Sequence, residues 1–285
     1  MPQDQPVLKP GTSNQTVRLF AHLNTSRHYR DKAGLFAMEG ARLVRDAIGS
    51  GVRLHAVLLT EHARQTLGDA LAAAAPNVRR LLISEALAKE IADTENAQGV
   101  FAIGEMRAEA PLDLHPGRRY LCLHSLQDPA NLGAILRTAE ALGTDGVILY
   151  HCVDLYNPKT LRSSMGALFR LPVTRIGDDL AFLAECASAG IATCAAVVDR
   201  DAALLGQFDF AAGGCVLIGN EGNGLPRTVS DACTHRLTIP MGAGSNSLNA
   251  AMAAGIFLWE MFRAQDHTQK QTELQTQNNT QNFPQ

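Results

Sequence analysis

The chain has 285 residues, is 46% hydrophobic and 19% charged, carries only 5% aromatic residues, and has a formal net charge of −3. This is the composition of a globular protein long enough for two domains with real cores, and it excludes a uniformly basic nucleic-acid coat or a surface built mainly of base-stacking rings. No uncharged apolar run approaches the roughly 20 residues a membrane-spanning helix needs, and the start lacks the basic-then-apolar order of a signal peptide.

Residues 1–15 are polar, include Pro6 and Pro10, and read as a flexible leader. Residues 16–106 alternate short apolar runs with helical spacing, which predicts a small α/β domain. Its expected strands are 35–38, 56–59, 78–83 and 100–103, with helices at 41–48 and 62–75 and a third helix capped by Ser84. Between Asn14 and Ala56 stand seven Arg or Lys residues against three acids, a local charge of +4 on a chain that is acidic overall. Such a cluster suits either a solvated helical surface or a phosphate-binding platform. Residues 107–118, with Pro111, Pro116 and Gly117, read as a linker.

Residues 119–264 form the second unit. Strands are expected at 120–123, 146–150, 171–174, 192–195, 215–218 and 237–239, and helices at 131–142, 180–189 and 248–262. The alternation implies a mostly parallel sheet covered on both faces, where ligands sit beyond the C-terminal strand ends. Residues 265–285 hold seven Gln and almost nothing apolar, and are expected to be disordered. The six cysteines, Cys122, Cys152, Cys186, Cys194, Cys215 and Cys233, form no CxxC pair. Reduced, buried thiols in the cytoplasm and no metal site are the expectation.

Three segments that follow strands carry candidate chemistry. In the first, Asp128 and Pro129 can start a helix that places Asn131 near its beginning, with Arg137 six residues on. At 3.6 residues per turn those two side chains project roughly 120° apart. In the second, a buried strand runs into Gly219-Asn220-Glu221-Gly222-Asn223-Gly224. Glycines permit close approach of backbone to a ligand. Neither the GxGxxG spacing of a dinucleotide site nor the GxxxxGK of a P-loop is present. In the third, a strand ends at Pro240, and Gly242 to Ser247 lead into the small-residue helix that begins near Leu248 and Asn249.

Together these segments resemble the motifs of the SpoU (TrmH-like) branch of the SPOUT RNA methyltransferases. Residues 131–137 resemble the first motif of that family, 219–224 the second and 239–249 the third; Asn157-Pro158-Lys159 and Ser163 to Ala167 also follow its habit. Residues 30–44 resemble the ribosomal-protein-like substrate-binding domain that often precedes the catalytic one. One departure is visible: family members commonly continue the Ser-Leu-Asn signature with Val-Ser, where this chain has Ala250-Ala251.

The resemblance implies an α/β SPOUT domain with a deep C-terminal trefoil knot, a homodimer, and transfer of a methyl group from S-adenosylmethionine to a ribose 2′-hydroxyl. The RNA expected is ribosomal, with transfer RNA as the alternative. The implied catalytic set is Asn131, Arg137, Glu221, Ser247 and Asn249, and the cofactor-binding set is Leu217, Ile218, Gly219, Gly224, Ile239, Met241 and Leu248. RNA contacts are expected from Arg27, Arg30, Arg42, Arg45, Lys159 and Arg162. A guanidinium offers five donors and has a pKa above about 12. Arg137 is therefore read as orienting the 2′-hydroxyl and stabilising charge on its oxygen, although the resemblance also allows a base role. Ser247 and Glu221 are candidates for positioning and proton relay. Two further readings stay open: a non-catalytic RNA-binding protein of the same fold, which the intact motif residues disfavour, and a nucleotide-binding oxidoreductase, which the missing fingerprint disfavours.

Overall fold

A computed structural model describes residues 11–95, 97–242 and 247–264. Most of the expected leader and all of the Gln-rich tail lie outside these residues. The chain divides into two compact units: the first comprises residues up to 108 together with 154–170, and the second comprises 109–153 and 171 onward.

The first unit opens with a helix that the sequence reading did not place, α1 (Gln15–Thr25), which the Asn14 side chain caps by accepting from Thr16 N at 2.9 Å. Val17, Phe20 and Leu23 form its buried stripe, and Phe20 meets Phe101 edge-on with centroids 5.4 Å apart. Ser26 ends α1 and caps α2 (Arg27–Ala33) by accepting from Tyr29 N. Strands β1 (Leu35–Glu39), β2 (Leu54–Thr60), β3 (Arg79–Ile83) and β4 (Val100–Glu105) form one sheet in the order β1-β4-β2-β3. β4 is antiparallel to both its neighbours, while β2 and β3 run parallel. The helices between them, α3 (Ala41–Gly49), α4 (Glu61–Ala74) and α5 (Glu85–Ile91), fall where the spacing predicts, and Ser84 caps α5 by accepting from Leu87 N.

Residues 154–170 enter this unit as α7 (Pro158–Ser164) and a short 3-10 turn. Tyr156 and Phe169 stack on Phe36 of β1, with centroids 4.8 and 5.8 Å away. Asp154 is buried and accepts from Arg30 Nε at 2.8 Å and from Arg30 Nη2; Arg30 Nη1 donates to the Leu23 carbonyl. Arg30, expected to touch RNA, is only 2% exposed. That expectation is corrected: a buried guanidinium must be fully paired, and this one is committed to Asp154 and the end of α1.

The second unit is a seven-stranded sheet in the order β7-β6-β5-β10-β8-β11-β9, parallel in every described pairing. Its strands are β5 (Arg119–His124), β6 (Gly146–Tyr150), β7 (Val173–Ile176), β8 (Thr193–Ala196), β9 (Ala203–Leu204), β10 (Gly214–Ile218) and β11 (His235–Thr238). β7 begins two residues later than expected, after Pro172, and β11 stops before Ile239. Helices α6 (Pro129–Ala141), α8 (Asp179–Ser188), α9 (Arg227–Ala232) and α10 (residues 250–264) complete it. β10 is buried throughout and sits between β5 and β8, with Cys215 and Leu217 packed against Cys122, Phe182 and Cys186. The expected linker is anchored here: Leu112 and Leu114 pack on this core, and the Tyr120 hydroxyl donates to the Asp113 carbonyl at 2.8 Å.

All six cysteines are free thiols. Burial pushes the pKa of Cys194 up to about 12 and those of Cys152 and Cys233 up to about 11. They stay protonated and act as small apolar side chains. No helix among the described residues is long and apolar enough to cross a membrane, and they contain no cluster of three or more potential metal ligands.

Candidate active site

The C-terminal ends of β8, β10 and β11 surround a cavity of about 760 Å³ in the second unit. Ile218, Gly219 and Gly224 line one wall, Ile239, Met241, Leu248 and Phe257 give an apolar side, and Asp199, Arg227 and Arg236 close a polar end. Of the expected cofactor residues, Leu217 is the exception. Successive strand side chains face opposite ways, so while Ile218 reaches the cavity, the Leu217 side chain lies in the core.

Gly219 is required by close approach, since a Cβ there would fall inside the Gly224–Leu225 peptide. The turn closes through paired Asn220–Gly224 backbone hydrogen bonds of 3.1 and 2.9 Å, with Gly224 at φ +66°. This closure holds Glu221 out toward the start of α6. Its carboxylate accepts from Gln127 N at 3.1 Å, Asp128 N at 3.2 Å and Asn131 Nδ2 at 3.1 Å. Partial burial would raise its pKa, but the hydrogen bonds, that from Asn131 foremost, outweigh it and leave the carboxyl below its ordinary value.

Asn249 completes the cluster. Its Oδ1 accepts from Ala251 N at 2.8 Å and Met252 N at 3.3 Å, capping α10, which turns its Nδ2 toward Asn131 Oδ1 at 3.1 Å. A directed chain thus runs from Asn249 through Asn131 to Glu221. Arg137 lies two turns along α6, is exposed, and its side chain makes no hydrogen bond or ion pair among the described residues. Ser247 is exposed at the cavity mouth, beyond residues 243–246, which lie outside those described.

These motifs have counterparts in known proteins. A sequence model described as the SpoU rRNA methylase family matches residues 118–259, and one described as an MRM3-like substrate binding domain matches residues 14–102. An uncharacterized tRNA/rRNA methyltransferase of Synechocystis is 33% identical over 89% of this chain and 93% of its own. The chain belongs to the SpoU family. A 23S rRNA (uridine(2479)-2′-O)-methyltransferase of Streptomyces viridochromogenes is 34% identical over 84% of this chain and 86% of its own. The crystal structure of an AdoMet-bound rRNA methyltransferase from Sinorhizobium meliloti superposes with a TM-score of 0.81 at 28% identity, covering 90% of this chain and 97% of the other. The expected family and its α/β architecture are both borne out.

Three features of this SpoU site escaped the reading of the sequence. Asn220, Gln127 and Asp128 hold Glu221 and its turn, and only the Asn-x-Gly pattern of a side-chain-closed turn hinted at the first of them. The buried His124, whose Nε2 lies 2.9 Å from Asp179 Oδ2, supports the loop after β5. Arg236 on β11 pairs with Asp199 in the loop after β8, at the polar end of the cavity and 37 residues away in the chain; hydrogen bonds, the Asp201 backbone first, hold the Asp199 carboxyl below its usual range. Of the expected RNA contacts, Arg42, Arg45 and Lys159 are exposed on the first unit. Arg27 pairs with Asp31 at the surface, and the half-buried Arg162 lies 2.6 Å from Asp93.

Proposed function

We propose that this SpoU-family enzyme methylates a ribose 2′-hydroxyl of ribosomal RNA, using S-adenosylmethionine held in the cavity of the second unit. The observation that carries this reading is the Asn249–Asn131–Glu221 chain, which joins the start of α10 and the start of α6 at the mouth of that cavity. The cavity fits the cofactor. Its volume lies within the roughly 300–1,000 Å³ usual for small-molecule pockets, its Ile239, Met241 and Leu248 side suits a base, and Glu221 and Asp199 complement a cationic ligand. Family membership and the AdoMet-bound Sinorhizobium relative support the same choice, and the Streptomyces relative supports ribosomal RNA and the 2′-oxygen.

When bound, S-adenosylmethionine would supply an electrophilic methyl group on a sulfonium centre: the oxygen–methyl bond would form as the methyl–sulfur bond breaks to a neutral thioether, and the 2′-hydroxyl proton would pass to solvent at the mouth, where Arg137 and Ser247 are exposed. The residues of the chain have the remaining tasks. Arg137, exposed and uncommitted among the described residues, orients the 2′-hydroxyl and an adjacent phosphate and favours negative charge on the reacting oxygen. Asn131 and Asn249 fix the approach of the RNA. Glu221 is a brace and not a proton relay, because three N–H donors already hold its two oxygens and its acidity is raised. Ser247, exposed at the cavity mouth, contacts the ribose. Alignment of oxygen and methyl group supplies most of the acceleration.

The first unit serves as the RNA platform through Arg42, Arg45 and Lys159, with Arg27 and Arg162 at its margins. Met252 and Trp259, 62% and 51% exposed and seven residues apart on α10, support a homodimer formed along that helix. The interposition of β10 between β5 and β8, together with the seating of Asn249 beside α6, supports a knotted C-terminus in which chain after Glu221 threads an earlier loop. The free, buried thiols support a reducing, cytoplasmic compartment.

The test is incubation with unmodified 23S rRNA and methyl-tritiated S-adenosylmethionine, followed by alkaline hydrolysis. A 2′-O-methyl ribose blocks cleavage of its own phosphodiester, so tritium should appear in alkali-resistant dinucleotides. Label confined to mononucleotides would refute 2′-O transfer, and label accepted by transfer RNA alone would shift the substrate to the alternative.

A further inference from the structure

Asn220 does two separable things. Its Oδ1 accepts from Gly222 N at 2.9 Å and Asn223 N at 3.2 Å, closing its own turn. Its Nδ2 donates to the carbonyl of Ser125 at 2.8 Å, 95 residues away in the chain. The first task is that of any turn-forming Asx residue and would be met equally by Asp. The second is not, because an ionised carboxylate has no donor.

The residue it reaches is itself unusual. Ser125 follows β5 at φ +59°, in the left-handed region that side chains other than glycine rarely adopt. Such a conformation persists only when its surroundings over-determine it. Ser125 N donates to the Tyr150 carbonyl at 2.7 Å, and its own carbonyl accepts from Gln127 Nε2 at 3.1 Å as well as from Asn220. Immediately beyond come Gln127 N and Asp128 N, which Glu221 holds, and Asp128 then caps α6 by accepting from Ala130 N at 2.9 Å. Asn220 and Glu221, adjacent on one turn, thus grip both ends of a four-residue loop that ends in the first turn of α6.

We propose that Asn220 is a positioning residue for methyl transfer: its bond to the Ser125 carbonyl holds Ser125 in its left-handed conformation, fixes the course of residues 125–128, and so sets where α6 carries Asn131 and Arg137. The inference rests on the reading of Asn131 and Arg137 as participants in the reaction. It adds to that reading a residue that acts through the backbone of another loop.

The decisive variant is Asn220→Asp, which keeps the turn-closing acceptor and the shape but replaces the donor with an oxygen facing the Ser125 carbonyl. Single-turnover transfer from saturating S-adenosylmethionine to saturating in-vitro-transcribed 23S rRNA should fall roughly ten-fold, the rate equivalent of one lost hydrogen bond. Amide hydrogen exchange should quicken across residues 125–131 and stay unchanged in the rest of the second unit. Adding Ser125→Gly should recover part of the lost rate, because glycine adopts positive φ without strain and no longer needs to be held. A plain turn-forming role predicts no such recovery. Wild-type exchange across 125–131 in Asn220→Asp would overturn the clamp, and so would exchange that rises throughout the unit. Faster local exchange with an unchanged transfer rate would overturn the positioning role by a different route, because the participation of Asn131 and Arg137 would then be what fails.

Discussion

Two polar networks in this molecule use similar groups to opposite ends. In the first unit, Arg30 and Asp154 are almost wholly buried, every contact they make is internal, and the pair joins the end of α1 to residues 154–170. In the second, Asn249, Asn131 and Glu221 are solvent-accessible, line the approach to a cavity, and spend their hydrogen bonds holding backbone N–H groups and one another. A charge enclosed on all sides serves cohesion within the core, and one held at an open mouth by fixed donors serves to set where its neighbours stand. Residue type alone does not separate the two; the completeness of enclosure does.

The contrast is sharpest if each network is broken in turn. Arg30→Ala should cause the largest change, a loss of about 3–5 kcal/mol in the stability of the first unit, because Asp154 is left as an unpaired buried charge. Chemical denaturation followed by a probe in that unit would measure it, and a loss below about 1 kcal/mol would return Arg30 to the surface class. Arg137→Ala should leave the melting temperature and cofactor affinity nearly unchanged while single-turnover transfer drops roughly 10²-fold. Arg137→Lys should not restore full activity, since a mobile point charge does not replace a planar fork. Transfer at the wild-type rate would remove Arg137 from the reaction.

A subtler difference concerns acid. The Glu221 pKa is lowered on folding, so its contribution to loop order is complete above the ordinary glutamate value of about 4.3 and is lost as pH falls through the depressed folded value. The amide resonances of Gln127 and Asp128 should therefore hold steady from neutrality down to about pH 5 and shift only in stronger acid. Glu221→Gln should abolish that titration; its persistence would assign it to another group. The smallest effect is expected from Arg45→Ala, which should weaken RNA binding a few-fold and reduce the slope of log affinity against log salt by about one. A slope equal to that of the wild type would take Arg45 off the platform.

Periodicity located β1, β2, β4, β5, β6 and β10 because each pairs a run of buried aliphatic residues with a sharp terminator, and such local signals need no partner to be read. It missed α1 and α2, where Arg27, His28, Arg30 and Lys32 read as surface charge although Val17, Phe20 and Leu23 already mark a buried stripe. It also assigned residues 154–170 by their place in the chain, whereas the stacking of Tyr156 and Phe169 on Phe36 is a long-range event without a local signature. At the site, Asn131, Glu221 and Asn249 were each visible as motif members, but the bonds joining them span about 90 residues or more. No spacing rule expresses that. Arg30 failed as an RNA contact for the same reason: the partner that buries it is 124 residues distant.

The membership of residues 154–170 in the first unit bears on how such enzymes can be taken apart. The polypeptide passes from one unit to the other three times, after residues 108, 153 and 170, so a cut at the apparent linker severs one of three connections and frees neither unit. A fragment ending near residue 106 would carry Arg30 without Asp154, and Phe36 without the two rings that cover it. Exchange of substrate-binding domains between relatives, whether by recombination or at the bench, therefore requires α7 and its flanks to travel with the N-terminal piece. A graft cut at the linker alone would bring together two halves that each lack something the other still holds.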